Sequence, residues 1–174
     1  LVLEAVQAES CTALYGVPTM FITILNQPDL ADYDVSMLRT GIMAGSPCPI
    51  ATMREVIDRL NMREVTIGYG MTETSPLTTQ TTTDDPLEER VSTVGRVHPH
   101  AEAKIVSPDG GTVPIGEQGE YCSRGYAVML GYWDDPEKTS EAIDADGWMH
   151  SGDLATMDEK GYVRITGRIK DMII

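Results

Sequence analysis

The sequence has no long hydrophobic run, and its first residues do not resemble a secretory signal. No apolar stretch among the 174 residues approaches the roughly 20 that a membrane helix needs. Residues 1–10 contain two glutamates and no basic segment, whereas a signal peptide begins with positive charge. These features indicate no transmembrane segment, and we expect a cytoplasmic protein.

Cysteine is also scarce. The three cysteines, Cys11, Cys48 and Cys122, are scattered along the chain and odd in number. A disulfide framework uses an even number of cysteines and forms in oxidising compartments. We therefore expect reduced thiols, in keeping with a location in the cytoplasm.

Basic residues are few. The sequence has 13 Lys and Arg against 27 Asp and Glu, for a net charge of −14. Nucleic-acid binding needs a basic surface, so nucleic acid is not an expected partner. A bound nucleotide is still compatible, because a magnesium ion and backbone donors can hold its phosphates. An apolar content of 41% and a charged content of 23% are typical of a globular protein.

Over residues 1–90, short apolar segments alternate with amphipathic ones. The clearest amphipathic segment covers residues 50–62, where Met53, Val56, Ile57 and Leu60 share one helical face. The remaining predicted elements are a helix around Leu3 and Val6, a strand at Thr12–Tyr15, a helix from Pro18 to about Leu25, and strands at Thr40–Ala44 and Val65–Tyr69. This alternation predicts part of a parallel sheet with covering helices, hence an α/β fold.

The pattern changes in residues 91–167, where short strands are separated by turn residues. Strands are predicted at Glu102–Val106 and Gly119–Ser123, and a short helix is predicted after the capping residue Asp135. Residues 154–165 are predicted to form a hairpin with its turn at 158–161. We predict a second, β-rich subdomain here with the form of a small distorted barrel.

The stretch from Gly68 to Pro76 carries the most chemistry. It follows the predicted strand at Val65–Tyr69, and ligands bind at the carboxyl ends of strands in open α/β sheets. Tyr69 offers a stacking face, and Gly70 allows close backbone approach. Thr72 can donate to a phosphate oxygen, and Glu73 is a hard ligand suited to Mg²⁺. An ordinary loop whose Thr and Glu cap the next element fits this spacing as well.

Three motifs carry a family resemblance. The run Tyr69-Gly70-Met71-Thr72-Glu73-Thr74 resembles the Tyr-Gly-x-Thr-Glu motif of the adenylate-forming superfamily, which includes acyl-CoA synthetases, aryl-CoA ligases, luciferases and peptide-synthetase adenylation domains. His150–Asp153 and Gly167–Asp171 resemble two further motifs of that superfamily, in the same order and at suitable spacing. The resemblance runs over essentially the whole chain and is greatest to fatty acyl-CoA synthetases, in which this chain would be the later part of the N-terminal domain.

The resemblance implies roles for several residues around ATP or AMP. Thr72 would contact the α-phosphate, and Glu73 would hold Mg²⁺. Asp153 would accept hydrogen bonds from both ribose hydroxyls, and Arg168 would contact the ribose or a phosphate. From the residues alone, turn capping is the commoner role for an Asp such as Asp153, and Arg168 could form a surface ion pair.

The remaining implied nucleotide contacts are mostly small or apolar. They are Ala44, Gly45 and Ser46 along the adenine, Tyr69 on its other side, the adjoining Gly70 and Met71, and Ile165 packed against the nucleotide. The loop at residues 44–46 is also a plausible turn between a strand and a helix. Histidines are not expected to bind metal: His98, His100 and His150 have no Cys or carboxylate partner evident from the sequence.

The resemblance implies a two-step reaction. A fatty acid carboxylate is activated with ATP as an acyl-adenylate, and coenzyme A then displaces AMP. The family's phosphate loop is expected before residue 1, and its C-terminal domain, with the catalytic lysine, is expected after residue 174. Lys170 is not that lysine, and residues 168–174, with Asp171, would be the hinge to that domain. We therefore expect a fragment that is inactive by itself.

Two alternatives remain open from the sequence. One is another enzyme of the same superfamily, such as an aryl-CoA ligase or an amino-acid adenylation domain, because many residues of the acyl pocket are expected upstream. The other is a non-catalytic nucleotide-binding or scaffold module with a degenerate site.

Overall fold

A computed structural model describes residues 1–169, so Lys170 and the predicted hinge residue Asp171 lie outside the described part. The chain forms two compact units. The first contains Leu1–Gly68 and Thr81–Ser92, and the second contains Tyr69–Gln80 and the described residues from Thr93 onward. The sequence analysis predicts a subdomain boundary at residue 90, which puts the loop with Thr72 and Glu73 in the first subdomain. In the structure this loop belongs to the second unit. The domain boundaries predicted after residues 90 and 167 stay predictions.

The first unit is built on a parallel sheet. Its elements are α1 (Val2–Ala8), β1 (Ala13–Gly16), α2 (Pro18–Leu25), β2 (Thr40–Ala44), α3 (Ile50–Arg59), β3 (Glu64–Tyr69, whose last residue belongs to the second unit) and α4 (Leu87–Ser92). Strand β2 pairs in parallel with β1 on one side and with β3 on the other. The predicted alternation of helix and strand is confirmed.

The sequence explains where these helices begin and what they bury. Pro18 is the first residue of α2, where its fixed φ suits a helix and its missing N–H is not needed. In α3, Met53 and Val56 have no solvent exposure, which confirms the predicted apolar face. Helix α4 was not predicted, because its segment has no apolar periodicity. It is held by Arg90, which donates to the carbonyl oxygens of Arg63 at 2.9 Å and Val65 at 3.0 Å.

The second unit is β-rich, as predicted. Its elements are β4 (Thr79–Gln80), β5 (Arg96–Val97), β6 (Ala101–Val106), β7 (Gly119–Gly125), α5 (Pro136–Ala142), β8 (Met149–Met157) and β9 (Val163–Arg168). Strands β4 and β5 pair antiparallel, and β6 to β9 form an antiparallel sheet in chain order. The buried cluster of this sheet consists of Ile105, Tyr121, Ala155 and Val163. Where the sequence predicts a small distorted barrel, the described residues form this four-stranded antiparallel sheet.

Strand β8 is irregular where the second motif lies. Glu120 of β7 is opposite Leu154, but Cys122, two residues later, is opposite His150, four residues earlier. The strand therefore bulges between these two pairs, and Gly152 in the bulge has φ +70°. The hairpin of β8 and β9 is confirmed, but β8 already begins at Met149.

Within residues 1–169, the helices are all too short or too polar to cross a bilayer.

Candidate functional site

The carboxylate of Asp153 is at the centre of a hydrogen-bonded group in the second unit. Tyr69 Oη donates to its Oδ2 at 2.7 Å, and Arg168 Nε donates to its Oδ1 at 2.7 Å. Asp153 is only 6% exposed, so little water competes with these two donors for its carboxylate. Bonds from donors to an ionised carboxylate are stronger than neutral ones. The sequence named all three residues as candidates, and the structure brings them together.

The two donors to Asp153, Tyr69 and Arg168, both have raised pKa values. Burial, followed by the hydrogen bond to Asp153, raises the pKa of the Tyr69 phenol well above its usual range. The Tyr69 ring packs edge-to-face on Tyr121, with 5.4 Å between the ring centroids. The hydrogen bond to Asp153 also raises the pKa of Arg168. Both side chains therefore remain donors at physiological pH.

The bulge in β8 fixes the backbone that carries Asp153. The N–H of Asp153 donates to Ser151 Oγ at 3.1 Å, and that hydroxyl donates to the carbonyl of Tyr121 at 2.7 Å. The N–H of Gly152 donates to Glu120 Oε1 at 2.9 Å. A carboxylate has about four acceptor positions, and Tyr69 and Arg168 use two of those on Asp153. The remaining lone pairs can accept two further donors, as a vicinal diol requires.

The carboxylate of Glu73 is held by a residue that the sequence analysis missed. Glu73 lies in the short 3-10 helix Thr72–Thr74. Tyr132 Oη donates to Glu73 Oε1 at 2.7 Å, and the N–H of Met129 donates to the Glu73 carbonyl at 2.8 Å. The hydrogen bond to Glu73 raises the pKa of Tyr132. Tyr132 engages Oε1, so Oε2 is the oxygen that a hard cation such as Mg²⁺ would take.

The loop around Glu73 is folded tightly on itself. A side chain on Gly70 would overlap the carbonyl of Pro76 and the Cα of Leu77. The close backbone approach predicted at Gly70 is therefore made by residues 76 and 77 of the same loop. Thr74 is buried and its hydroxyl accepts from the N–H of Met71 at 3.1 Å. Thr72, by contrast, is exposed and free to reach a ligand.

The remaining predicted contacts lie elsewhere in the fold. Ala44 is the last residue of β2, and Gly45 follows it with φ +86°, so a turn begins there as the sequence suggests. Ala44, Gly45 and Ser46 belong to the first unit. Ile165 lies on β9, opposite Ala155, and packs against the buried cluster of the second unit. Asp171 is outside the described residues.

The expectation that His150 lacks carboxylate and cysteine partners is wrong. His150 does have carboxylate and cysteine partners: its Nδ1 lies 2.8 Å from Glu120 Oε2 and 3.4 Å from Cys122 Sγ. These partners are about 30 residues away in sequence and are brought next to His150 by the pairing of β7 with β8. No local sequence pattern could have indicated the contact.

Known proteins resemble this chain over nearly its whole length. The chain is 57% identical to YngI of Bacillus subtilis (strain 168) and 51% identical to "Medium-chain acyl-CoA ligase ACSF2, mitochondrial" of Bos taurus, over 99% of its own length in both cases. It spans 32% and 28% of the lengths of these two relatives. Among solved structures, that of the anthranilate CoA ligase AuaEII in complex with anthranoyl-AMP superposes with a TM-score of 0.89 at 28% identity, covering 99% of this chain and 32% of the other.

The match to a family model covers about three quarters of the chain and the first of the three motifs. Residues 1–133 match the model described as AMP-binding enzyme, and they include the loop with Thr72 and Glu73. The other two candidate residues, Asp153 and Arg168, follow within the segment that aligns with the relatives. The chain therefore belongs to the family of AMP-binding enzymes.

Proposed function

We propose that this chain is part of an AMP-forming acyl-CoA ligase that activates a fatty acid. The observation that supports this most directly is the Asp153 carboxylate, held by Tyr69 and Arg168 and still able to accept two more donors. A ribose presents two adjacent hydroxyls that suit such a carboxylate. In this proposal Asp153 binds the ribose of ATP and of the acyl-adenylate, while Tyr69 and Arg168 fix its orientation.

The proposed first step joins a carboxylic acid to AMP. A carboxylate oxygen of the acid attacks the α-phosphorus of ATP, and the bond to pyrophosphate breaks. The protein contributes to phosphoryl transfer mainly by positioning and by stabilising charge. Thr72, exposed at the start of its short 3-10 helix, would donate to an α-phosphate oxygen. Arg168 would keep a positive charge near the nucleotide.

Glu73 is suited to hold the magnesium ion that accompanies ATP. Its carboxylate is a hard oxygen ligand, and Tyr132 fixes one oxygen while the other can face the ion. When bound, Mg²⁺ would neutralise charge on the phosphates. The further nucleotide contacts that the motif resemblance implies are also part of this proposal. They are Ala44, Gly45, Ser46, Tyr69, Gly70, Met71 and Ile165.

The proposed second step transfers the acyl group. The thiolate of coenzyme A attacks the carbonyl carbon of the acyl-adenylate, and AMP leaves with the electron pair of the broken bond. The acid is proposed to be aliphatic, because the relative at 51% identity is named a medium-chain acyl-CoA ligase and the aryl ligase AuaEII is only 28% identical. A role in fatty acid metabolism and a cytoplasmic location are part of this proposal.

The experiment that tests the proposal is ATP–pyrophosphate exchange driven by a panel of carboxylic acids. It compares the full-length protein containing this chain with the 174-residue piece alone. We expect exchange by the full-length protein with aliphatic acids and none by the piece. Exchange with aromatic acids only would favour an aryl-CoA ligase. The absence of exchange with every acid would favour a non-catalytic nucleotide-binding module.

A further inference from the structure

Three side chains that can bind metal converge on the face of the sheet formed by β7 and β8. They are Glu120, Cys122 and His150, and their Oε2, Sγ and Nδ1 atoms all lie within 4.8 Å of one another. None of the three side chains is proposed to contact the nucleotide, although Glu120 Oε1 holds the backbone N–H of Gly152 next to Asp153. They offer a carboxylate, a thiol and an imidazole, which is a mixed donor set rather than a surface cluster of acidic groups.

The sheet itself imposes this convergence. Cys122 and His150 are directly opposite each other on neighbouring antiparallel strands. Glu120 lies two residues before Cys122, so its side chain is on the same face of β7. One oxygen of Glu120, Oε1, is held by the N–H of Gly152 at 2.9 Å, which directs Oε2 towards His150. The donors are therefore oriented by backbone pairing and by a hydrogen bond.

A second carboxylate lies on the other side of the imidazole. Asp144 Oδ2 is 3.7 Å from His150 Nε2. Asp144 is held in turn through Oδ1, which accepts from the N–H groups of Asp146 at 3.0 Å and Trp148 at 2.8 Å. Histidines that bind metal usually direct their other ring N–H at a carboxylate, which fixes the tautomer. Asp144 lies on the side of the ring where such a carboxylate is found, at an ion-pair distance rather than a hydrogen-bond distance, and it is independent of the three converging atoms.

From this arrangement, we propose that Cys122 Sγ, His150 Nδ1 and Glu120 Oε2 form a binding site for Zn²⁺, with water as the fourth ligand. Thiolate and imidazole together favour zinc over the hard cations Mg²⁺ and Ca²⁺. Tetrahedral zinc separates such ligand atoms by about 3.3 to 3.6 Å. The 3.4 Å from Sγ to Nδ1 matches that range, and the 2.8 Å from Nδ1 to Oε2 would widen as the ion replaces the hydrogen bond.

Binding of zinc at this site releases a proton from the protein. The Cys122 thiol loses its proton to solvent when sulfur bonds to zinc, and the imidazole binds through an unprotonated Nδ1 with its proton on Nε2. Burial raises the pKa of the Cys122 thiol to about 12, so the ion must displace this proton. The side chains of His150 and Glu120 are 32% and 19% exposed, which leaves a route for the ion and for the water ligand.

The first test measures zinc affinity by competition with a chromogenic chelator, on the full-length protein kept reduced. We expect Cys122→Ser and His150→Gln each to weaken the binding of one equivalent of zinc by at least tenfold. We expect Asp144→Asn, which keeps the Oδ1 acceptor, to weaken it by about 10- to 100-fold, the usual effect of losing such a supporting carboxylate. Cys48→Ser and His100→Gln are the matched controls, because the Cys48 thiol hydrogen-bonds to Met43 Sδ and the Pro49 carbonyl, away from the three donors, and His100 is exposed.

The second test uses Co²⁺ as a spectroscopic probe, so the proposal does not depend on every variant folding. A thiolate ligand gives cobalt an intense charge-transfer band in the near ultraviolet. We expect this band in the unaltered protein and in the Cys48→Ser control, and its loss in Cys122→Ser. No charge-transfer band in the unaltered protein, or equal zinc affinity in the unaltered protein and in His150→Gln, would overturn the proposal.

Discussion

The hydroxyl of Tyr132 donates a 2.7 Å hydrogen bond to Oε1 of Glu73, joining two residues that are 59 positions apart. Glu73 is the proposed magnesium ligand, and its own loop does not supply this contact. The bond restricts the rotation of the Glu73 side chain and determines which oxygen is free for a cation. Tyr132 is therefore a positioning residue for the proposed reaction.

Replacing Tyr132 by Phe should raise the Mg²⁺ concentration needed for half-maximal ATP–pyrophosphate exchange. A hydrogen bond to a charged group contributes roughly 1.5–3 kcal/mol, and the lower end applies because Tyr132 is 39% exposed. We therefore expect a change of about tenfold. The matched control is Tyr126→Phe, since Tyr126 lies in the same segment and is 74% exposed. An unchanged magnesium dependence in Tyr132→Phe would show that the bond does not position Glu73.

Replacing Gly70 by Ala should disturb the loop that carries Thr72 and Glu73. The added methyl group would meet backbone atoms of Pro76 and Leu77, which cannot move aside as a flexible side chain could. We expect a loss of about 1–3 kcal/mol in the free energy of unfolding. We also expect at least a tenfold fall in exchange, because Glu73 moves with the loop.

Gly111→Ala is the control for this experiment. A Cβ on Gly111 would make only ordinary contacts, the nearest at 3.5 Å from Ser107 Oγ. Chemical denaturation measures the stability of both variants. Equal stability and equal exchange in Gly70→Ala and Gly111→Ala would contradict the inferred packing of the loop.

Stability should fall in alkaline solution because of Tyr121. Burial raises the pKa of this phenol to about 12 in the folded protein, while in the unfolded chain it is about 10. Below pH 10 the phenol is neutral in both states, so its contribution is fully present there. Above pH 10 the unfolded chain loses the proton first, so the free energy of unfolding decreases, by up to about 1.4 kcal/mol per pH unit, until the folded pKa is reached.

The measurement is the free energy of unfolding at several pH values between 9 and 12 for the unaltered protein, Tyr121→Phe and the exposed control Tyr126→Phe. We expect a shallower decline only in Tyr121→Phe. Tyr69 contributes to the remaining decline, since the pKa of its phenol is raised by burial and by Asp153. The same slope for all three proteins would mean that the Tyr121 phenol is accessible to solvent.

Local sequence patterns were sufficient to predict most of the regular structure. Strand β2 was predicted with its observed bounds, Thr40–Ala44, because a short β-branched and apolar run stands between polar segments. The apolar face of α3 was equally clear from its spacing. Helix α4 was missed because it depends on Arg90 bonding to carbonyls 25 and 27 residues away, which no local pattern shows.

The candidate site was predictable only in part. The motif residues Tyr69, Asp153 and Arg168 were named from the sequence, and the structure brings them into hydrogen-bonding contact; their roles at a nucleotide stay predictions. The partners Tyr132 and Glu120 could not be found in this way. Their contacts depend on loop packing and on the register of β7 and β8, including the bulge at Gly152, which the sequence does not specify locally.

The most direct test of the account asks whether Asp153 recognises the ribose. Exchange by the full-length protein with a medium-chain fatty acid is measured with ATP and with 2′-deoxy-ATP, for the unaltered protein and for Asp153→Asn. We predict that the unaltered protein prefers ATP by about tenfold or more in kcat/KM, because the diol donates to a carboxylate. We predict that Asp153→Asn loses most of this preference. The same preference in both proteins, with folding intact, would contradict the account.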